Sequence, residues 1–283
     1  MQHNEVEALA RELKSAQETG EMIAVPPSAR PGFNLEAAYE VEAILKRLRE
    51  AEGHRPVGRK VGYANKAMWR ALKLDTLVWA HMYEDTVHYS DGNSATLSVA
   101  HPRSLKIEPE IVFGLKRPIT LEGAPAPDAI AALEATEWIA IGFEIIDCPY
   151  PEWKFQPGDF VASFGLHNAL VIGERVEVRP DLIPTLADEL SQFKVRISRS
   201  SDSKNGEFSE EGWGKNSLKN PALCLAELST AISKRFPAEP LGAGELVSSG
   251  TLTAGHATNA GDAWTVAIEG LSLPKAPLTL RLI

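Results

Sequence analysis

The chain has 283 residues, 44% of them hydrophobic, and a formal net charge of −9. That length suits one large domain or a core domain with a small companion, and that apolar fraction excludes a disordered chain. The negative balance argues against binding a nucleic-acid backbone or an anionic membrane.

The first 55 or so residues read as helical. Val6, Leu9 and Leu13 recur at helical spacing between about Glu5 and Gln17. Pro26-Pro27-Ser28-Ala29-Arg30-Pro31-Gly32 then breaks the chain. Asn34 is placed as an N-cap with Glu36 in the first turn, opening a helix that turns Leu35, Ala38, Val41, Ile44, Leu45 and Leu48 to a core and ends near Gly53. From Val57 on, short β-like runs punctuated by Gly, Pro and Asn take over: Val57 to Val61, Thr86 to Tyr89, Thr96 to Val99, Ser104 to Leu115, Trp138 to Ile146, Ala169 to Ile172 and Phe193 to Ser198. Helices are expected near Asp128 to Ala135 and from Pro221 to Phe236, and strands at Glu245 to Ser249, Asp262 to Ile268 and Leu278 to Leu282. The polar run Ser198 to Ser209 reads as an exposed loop. Many short strands with few helices predict an α+β protein: a mixed β-roll or barrel over residues 56–283 behind a small helical region over residues 1–55.

Cys148 and Cys224 are far apart and lack Cys-x-x-Cys spacing, so they read as buried free thiols in a reducing compartment. The N-terminus is acidic without an apolar signal core, and no stretch approaches the roughly 20 apolar residues of a membrane span. The expectation is a soluble cytoplasmic protein.

Within Leu105-Lys106-Ile107-Glu108-Pro109-Glu110-Ile111-Val112-Phe113 two acids stand two residues apart on an apolar strand, so both point to one face. Paired carboxylates repel and lose solvation unless a positive group sits between them, and a hard divalent cation suits them best. Glu144, inside Ile139-Ala140-Ile141-Gly142-Phe143-Glu144-Ile145-Ile146-Asp147, adds a third acid on a second buried strand. Lys60, at the end of a short apolar run and just before Asn65 as a possible helix cap, reads from this segment alone as an ordinary surface lysine, but a lysine at such a junction can also point into a cleft. Desolvation near a cation would lower its pKa and fit it for acid–base work. The run Ser248-Ser249-Gly250-Thr251-Leu252-Thr253-Ala254-Gly255 offers small side chains and hydroxyl and N–H donors, which suit a carboxylate ligand. No phosphate-loop, dinucleotide or nucleophile-elbow pattern is present. The seven histidines lack zinc-type spacing; His81 and His167 lie closest to the candidate segments.

In this order, Lys60-Val61-Gly62, Glu108-Pro109-Glu110, Phe143-Glu144-Ile145-Ile146-Asp147, Gly158-Asp159-Phe160-Val161-Ala162 with Ser163 and Asn168, Ser249-Gly250-Thr251-Leu252-Thr253 and Ala260-Gly261-Asp262 resemble the hydratase/decarboxylase branch of the fumarylacetoacetate hydrolase superfamily. The resemblance implies a mixed-β fold holding Mg²⁺ or Mn²⁺ on Glu108, Glu110 and Glu144, with Lys60 as acid–base group. It pairs Lys60 with an acid of the segment Tyr83-Glu84-Asp85-Thr86, hence Glu84 or Asp85. Ser163, Asn168, Ser249, Gly250 and Thr251 are implied to contact substrate. The implied reaction is hydration of a 2-hydroxy-2,4-dienoate or 2-oxo acid through an enolate held at the metal, by a carbon–oxygen lyase of aromatic catabolism. A 2-oxo-3-hexenedioate-type decarboxylase shares that chemistry. An acylpyruvase-type C–C hydrolase would add a His/Glu pair on an N-terminal lid, for which the sequence shows no local signature. The run Thr76-Leu77-Val78-Trp79-Ala80-His81-Met82 is bulkier than the family's Gly-containing stretch, which implies a reshaped pocket. A small-molecule 2-oxo acid is the expected partner, without nucleic acid or membrane, in a homo-oligomer.

Overall fold

A computed structural model describes residues 1–99, 103–119, 128–200, 206–235, 239–273 and 276–283. The helices are α1 (His3–Thr19), α2 (Leu35–Ala51), α3 (Lys66–Leu72), α4 (Ala129–Glu134), α5 (Pro157–Ala162), α6 (Ile183–Gln192) and α7 (Pro221–Ser233). The strands are β1 (Pro56–Gly62), β2 (Val78–Tyr83), β3 (Val87–Tyr89), β4 (Ser94–Leu97), β5 (Leu105–Leu115), β6 (Thr136–Asp147), β7 (His167–Ile172), β8 (Val176–Glu177), β9 (Lys194–Arg199), β10 (Phe208–Trp213), β11 (Leu246–Ser248), β12 (His256–Ala257), β13 (Ala263–Glu269) and β14 (Leu278–Leu282). Phe236 and residues 201–205, which fall in the expected helix and loop, lie outside the described residues, as does His101.

Two mixed sheets carry the α+β fold. The larger runs β2-β1-β11-β5-β6-β7-β3, with β12 beside β5 and β8 beside β6; the smaller runs β10-β9-β13-β14-β4. The long antiparallel pair β5–β6 forms the centre of the larger sheet, while β1–β11, β3–β7 and β4–β14 are parallel. One apolar core is built from both sheets together with α4, α6 and α7. A second lies under the N-terminal helices, where Val6, Leu9, Leu13, Val41, Ile44 and Leu45 meet Val78, Ile146 and Phe160. Each such side chain contributes about 2 kcal/mol by leaving water, so α1 and α2 are held to the sheet by packing.

Local signals act as expected at α2. The Asn34 side chain accepts the N–H of Ala37 at 2.9 Å, and Ala38, Val41, Ile44 and Leu45 are buried while Leu35 and Leu48 are half-buried. The helix also buries Glu42, which the apolar stripe did not include. Glu42 and Tyr39 face the outer side of β2, the last strand of its sheet. Tyr39 Oη accepts the N–H of Trp79 at 3.2 Å and Glu42 Oε1 that of His81 at 3.1 Å.

The segments β2, α5, α6 and β10 were not anticipated, while the possible cap at Asn65 does open α3, its side chain accepting the N–H of Ala67 at 3.0 Å. β2 is buried along its whole length, so it shows none of the polar–apolar alternation that marks a half-exposed strand. The expected loop over Ser198 to Ser209 ends in strand at Phe208, and Thr86 belongs to a 3₁₀ turn at Glu84–Thr86 instead of beginning a strand.

Candidate active site

The β5–β6 register sets Glu108 opposite Glu144 and Glu110 opposite Gly142. Because the strand period is two, the pleat turns all three acids to one face. One carboxylate oxygen from each lies within 4.8 Å of the others. Glu110 and Glu144 are wholly buried and Glu108 is partly exposed. Gly255 lets the following loop close over Glu108: a Cβ there would stand 2.7 Å from Glu108 Oε1.

β1 brings Lys60 to the same face. Its Nζ is 2.8 Å from Glu144 Oε2 and 4.9 Å from the Phe160 ring centre. His167 holds the other oxygen, with Nδ1 2.9 Å from Glu144 Oε1 and Nε2 3.0 Å from Thr86 Oγ1. Glu110 Oε2 accepts from Ser248 Oγ at 2.5 Å and from the Gly250 N–H at 2.8 Å. Glu110 Oε1 is buried with no hydrogen-bond partner among the described residues.

The charges are unevenly shared. Burial, reinforced by Glu144, pushes the Glu108 carboxyl up to about 7. Burial, then Glu144 and Glu108, raises Glu110 well above the carboxylate range. Burial also opposes ionisation of Glu144, but Lys60 and His167 outweigh it and lower its pKa. For Lys60 the balance in the metal-free chain runs upward. Burial alone would lower it, yet Glu144, Glu110 and Glu108 together raise it. Two carboxyls short of positive charge, one with an orphaned oxygen, fit a hard divalent cation.

A cavity of about 700 Å³ opens over Lys60 and Glu108. Tyr63, Trp153, Phe155, Phe160 and Leu166 form apolar walls, with Gly250 and Thr251 on the opposite side. Four further lysines line it, Lys66, Lys106, Lys215 and Lys219, and none has an ion-pair partner among the described residues. Lys106 Nζ instead lies 3.9 Å from the Trp153 ring centre.

Several expected site residues are not brought here. Glu84 and Asp85 are exposed and bound to arginines, Glu84 to Arg55 at 2.9 Å and Asp85 to Arg49 at 2.8 Å. The cause is register. β2 passes Lys60 at Ala80 and reaches Pro56 at Tyr83, so the two acids lie past the far end of β1. Ser163 closes α5 and its Oγ is 2.5 Å from Tyr150 Oη. Asn168 lines a separate cavity with His167 and Thr86. Ser249 is buried beside the loop's cavity-lining residues, and its carbonyl accepts from Ser217 Oγ at 2.5 Å. No residue of Thr76 to Met82 lines the large cavity, so the bulk of that run does not reshape it. A buried Glu42–His81 pair does exist, but on the far side of β2 from Lys60.

Ser248 and His167 are the contacts that motif reading left without a role. Ser248 stood within a flagged run. His167 required knowledge of the β6–β7 register, which shifts between Ile145 and Ile146. Asn168 is the extra residue of that bulge, and it returns His167 to the face of Glu144.

Among the described residues no helix is long and apolar enough to cross a membrane. No family model matches the chain. It is 29% identical over 266 residues to a 2-hydroxyhexa-2,4-dienoate hydratase of Comamonas testosteroni, covering 94% of each chain. It is 28% identical over 268 residues to a 4-oxalocrotonate decarboxylase of Pseudomonas sp. (strain CF600), covering 95% of this chain and 94% of that one. Among solved structures, the 4-oxalocrotonate decarboxylase from Pseudomonas putida G7 complexed with magnesium and adipate superposes with a TM-score of 0.85 at 23% identity, over 100% of this chain and 99% of the other. A yeast fumarylacetoacetate hydrolase family protein shares the fold more distantly, with a TM-score of 0.53 at 11% identity over 80% of this chain and 92% of that one. Over nearly its whole length the chain is therefore similar in sequence to 2-hydroxydienoate hydratases and 4-oxalocrotonate decarboxylases, and it shares its fold with fumarylacetoacetate hydrolase family proteins.

Proposed function

We propose that the chain is a metal-dependent carbon–oxygen lyase, a hydratase of 2-hydroxy-2,4-dienoates or the 2-oxo acids they interconvert with. One observation carries this reading. A buried lysine, Lys60, and Glu108 line a cavity that admits a small acid, and Glu108 belongs to a cluster of three carboxylates whose other two, Glu110 and Glu144, are wholly buried. Glu108, Glu110 and Glu144 would hold Mg²⁺ or Mn²⁺, which when bound supplies Lewis-acid stabilisation of negative charge on the substrate's C2 oxygen.

The protein's own groups do the rest. Lys60 Nζ, held by Glu144, moves the proton from the substrate's C2 hydroxyl to a chain carbon, and water then adds its H and OH across the remaining conjugated double bond. His167 and Ser248 fix the orientation of Glu144 and Glu110. Gly250 and Thr251 flank the position of the substrate carboxylate, and the Phe160 and Leu166 wall limits stray water. A cytoplasmic homo-oligomer is part of the same proposal.

The four unpaired lysines favour a second reading, decarboxylation of a dicarboxylic 2-oxo acid. A cavity lined by these cations and by Glu108 as its one acid among the described residues suits a substrate with a second negative end. The C–C hydrolase reading has less support, since the Glu42–His81 pair does not reach the cavity.

An ultraviolet assay with Mg²⁺ separates them. Loss of conjugation from 2-hydroxypenta-2,4-dienoate without CO₂ release supports the hydratase, and CO₂ from 2-oxo-3-hexenedioate supports the decarboxylase. Silence on both, with metal bound, would sink both readings.

A further inference from the structure

A second cavity, of about 410 Å³, lies on the other face of β1–β2, between α2, β2 and the end of α7. Arg59 and Lys60 are neighbours on β1, so the pleat sends them to opposite faces: Lys60 to the acid cluster, Arg59 to this side. Arg59 sits opposite His81 on β2, and Val61 opposite Trp79. Trp79 and His81 are 6% and 3% exposed. Both line the cavity, and Trp79 Nε1 and His81 Nε2 have no hydrogen-bond partner among the described residues. Buried polar atoms are rarely left so.

His81 Nδ1 is taken by Glu42, which leaves Nε2 to face the cavity. Burial alone would lower the His81 pKa, but Glu42 and Glu239 raise it, favouring the form with a proton on Nε2. A chain carboxylate already samples the space. Glu239 Oε2 lies 3.4 Å from Lys46 Nζ, 3.7 Å from His81 Nε2 and 3.9 Å from an Arg59 guanidinium nitrogen. Those separations exceed a good charge-assisted hydrogen bond, and Glu239 remains half exposed. His81, then Lys46, lower its pKa, although Glu36, Glu40 and Glu42 also line the cavity. Tyr39 and Trp79, with ring centres 5.1 Å apart, supply an aromatic wall.

We propose that this cavity binds a small organic carboxylate, which displaces Glu239 from between Lys46, Arg59 and His81, accepts from Trp79 Nε1 and His81 Nε2, and lays an apolar tail against Trp79 and Tyr39. The site is independent of the metal cluster and of the lyase reading. Arg59 and Lys60 share one strand, so an occupant here lies one residue from the proton-moving lysine.

Calorimetric titration of benzoate into the full chain tests this, in wild type, Trp79→Phe and Glu239→Ala. One site is expected in wild type. Trp79→Phe keeps the aromatic wall but removes the donor, and should weaken binding about tenfold. Glu239→Ala removes the competing carboxylate and should tighten binding severalfold, an effect a merely structural role would not give. Absence of binding, or equal affinity in wild type and the Glu239 variant, would overturn the proposal.

Discussion

Lys60 Nζ and Glu144 Oε2 stand 2.8 Å apart with both side chains out of water. A buried ion pair contributes modest net stability, but deleting one member strands the other at a cost of about 3–5 kcal/mol. Lys60→Met should therefore lower the melting temperature of the metal-free chain and lower turnover by about 10²–10⁴-fold. Mg²⁺ should still bind and restore much of the stability. Steady-state rates and melting curves with and without Mg²⁺ check this; undiminished turnover would remove Lys60 from the chemistry.

Glu108→Gln removes one of three converging carboxylates and should weaken Mg²⁺ binding by at least about 10–100-fold. It should not destabilise the metal-free chain near pH 8, because it also removes repulsion. Calorimetric titration of Mg²⁺ gives the affinity. If affinity and turnover both survive, the proposed metal site is wrong.

Glu108 titrates near 7 and Glu110 is also raised, against 4.5 for an ordinary glutamate. Between pH 4.5 and 7 these two carboxyls therefore hold more protons in the folded chain than in the unfolded chain, which outweighs the smaller opposite effect of the lowered His88 and His256. The chain's metal-free stability falls as pH rises through that window. Melts in a chelator should show a lower midpoint at pH 7.5 than at 5.5, by several degrees. Mg²⁺ should reverse this at pH 7.5 and bind more weakly at 5.5, where protons compete for the same oxygens. A metal-free midpoint independent of pH would contradict the raised carboxyls.

The double variant Glu84→Gln/Asp85→Asn should retain turnover within about twofold, since both acids are exposed and paired with Arg55 and Arg49. A loss of two orders of magnitude would restore one of them as the partner of Lys60.

Lys215→Glu/Lys219→Glu should lower kcat/KM for a dicarboxylic substrate about tenfold, with a smaller change for a monocarboxylic one. Equal effects on both would mean that the lysines only steer anions to the mouth.

The sequence was most legible where one strand or helix turn carries the message. Glu108 and Glu110 share a face because a strand repeats every two residues, and Asn34 caps α2 by a contact three residues away. Reading failed where position depends on a partner strand. His167 reaches Glu144 only through the bulge at Asn168, and Glu84 and Asp85 miss Lys60 because of the β1–β2 register. β2 itself was hidden by burial on both faces.

Tyr39 and Glu42 do more than line a cavity. They occupy the outward N–H groups of Trp79 and His81, a row that would otherwise invite another chain to add a strand. A truncation near residue 55 would strip that cover and expose Val78, Ile146 and Phe160, which pack against the helices. The shortened protein is expected to self-associate into insoluble β-rich material. In that sense the helical region acts as a built-in chaperone for the sheet it covers.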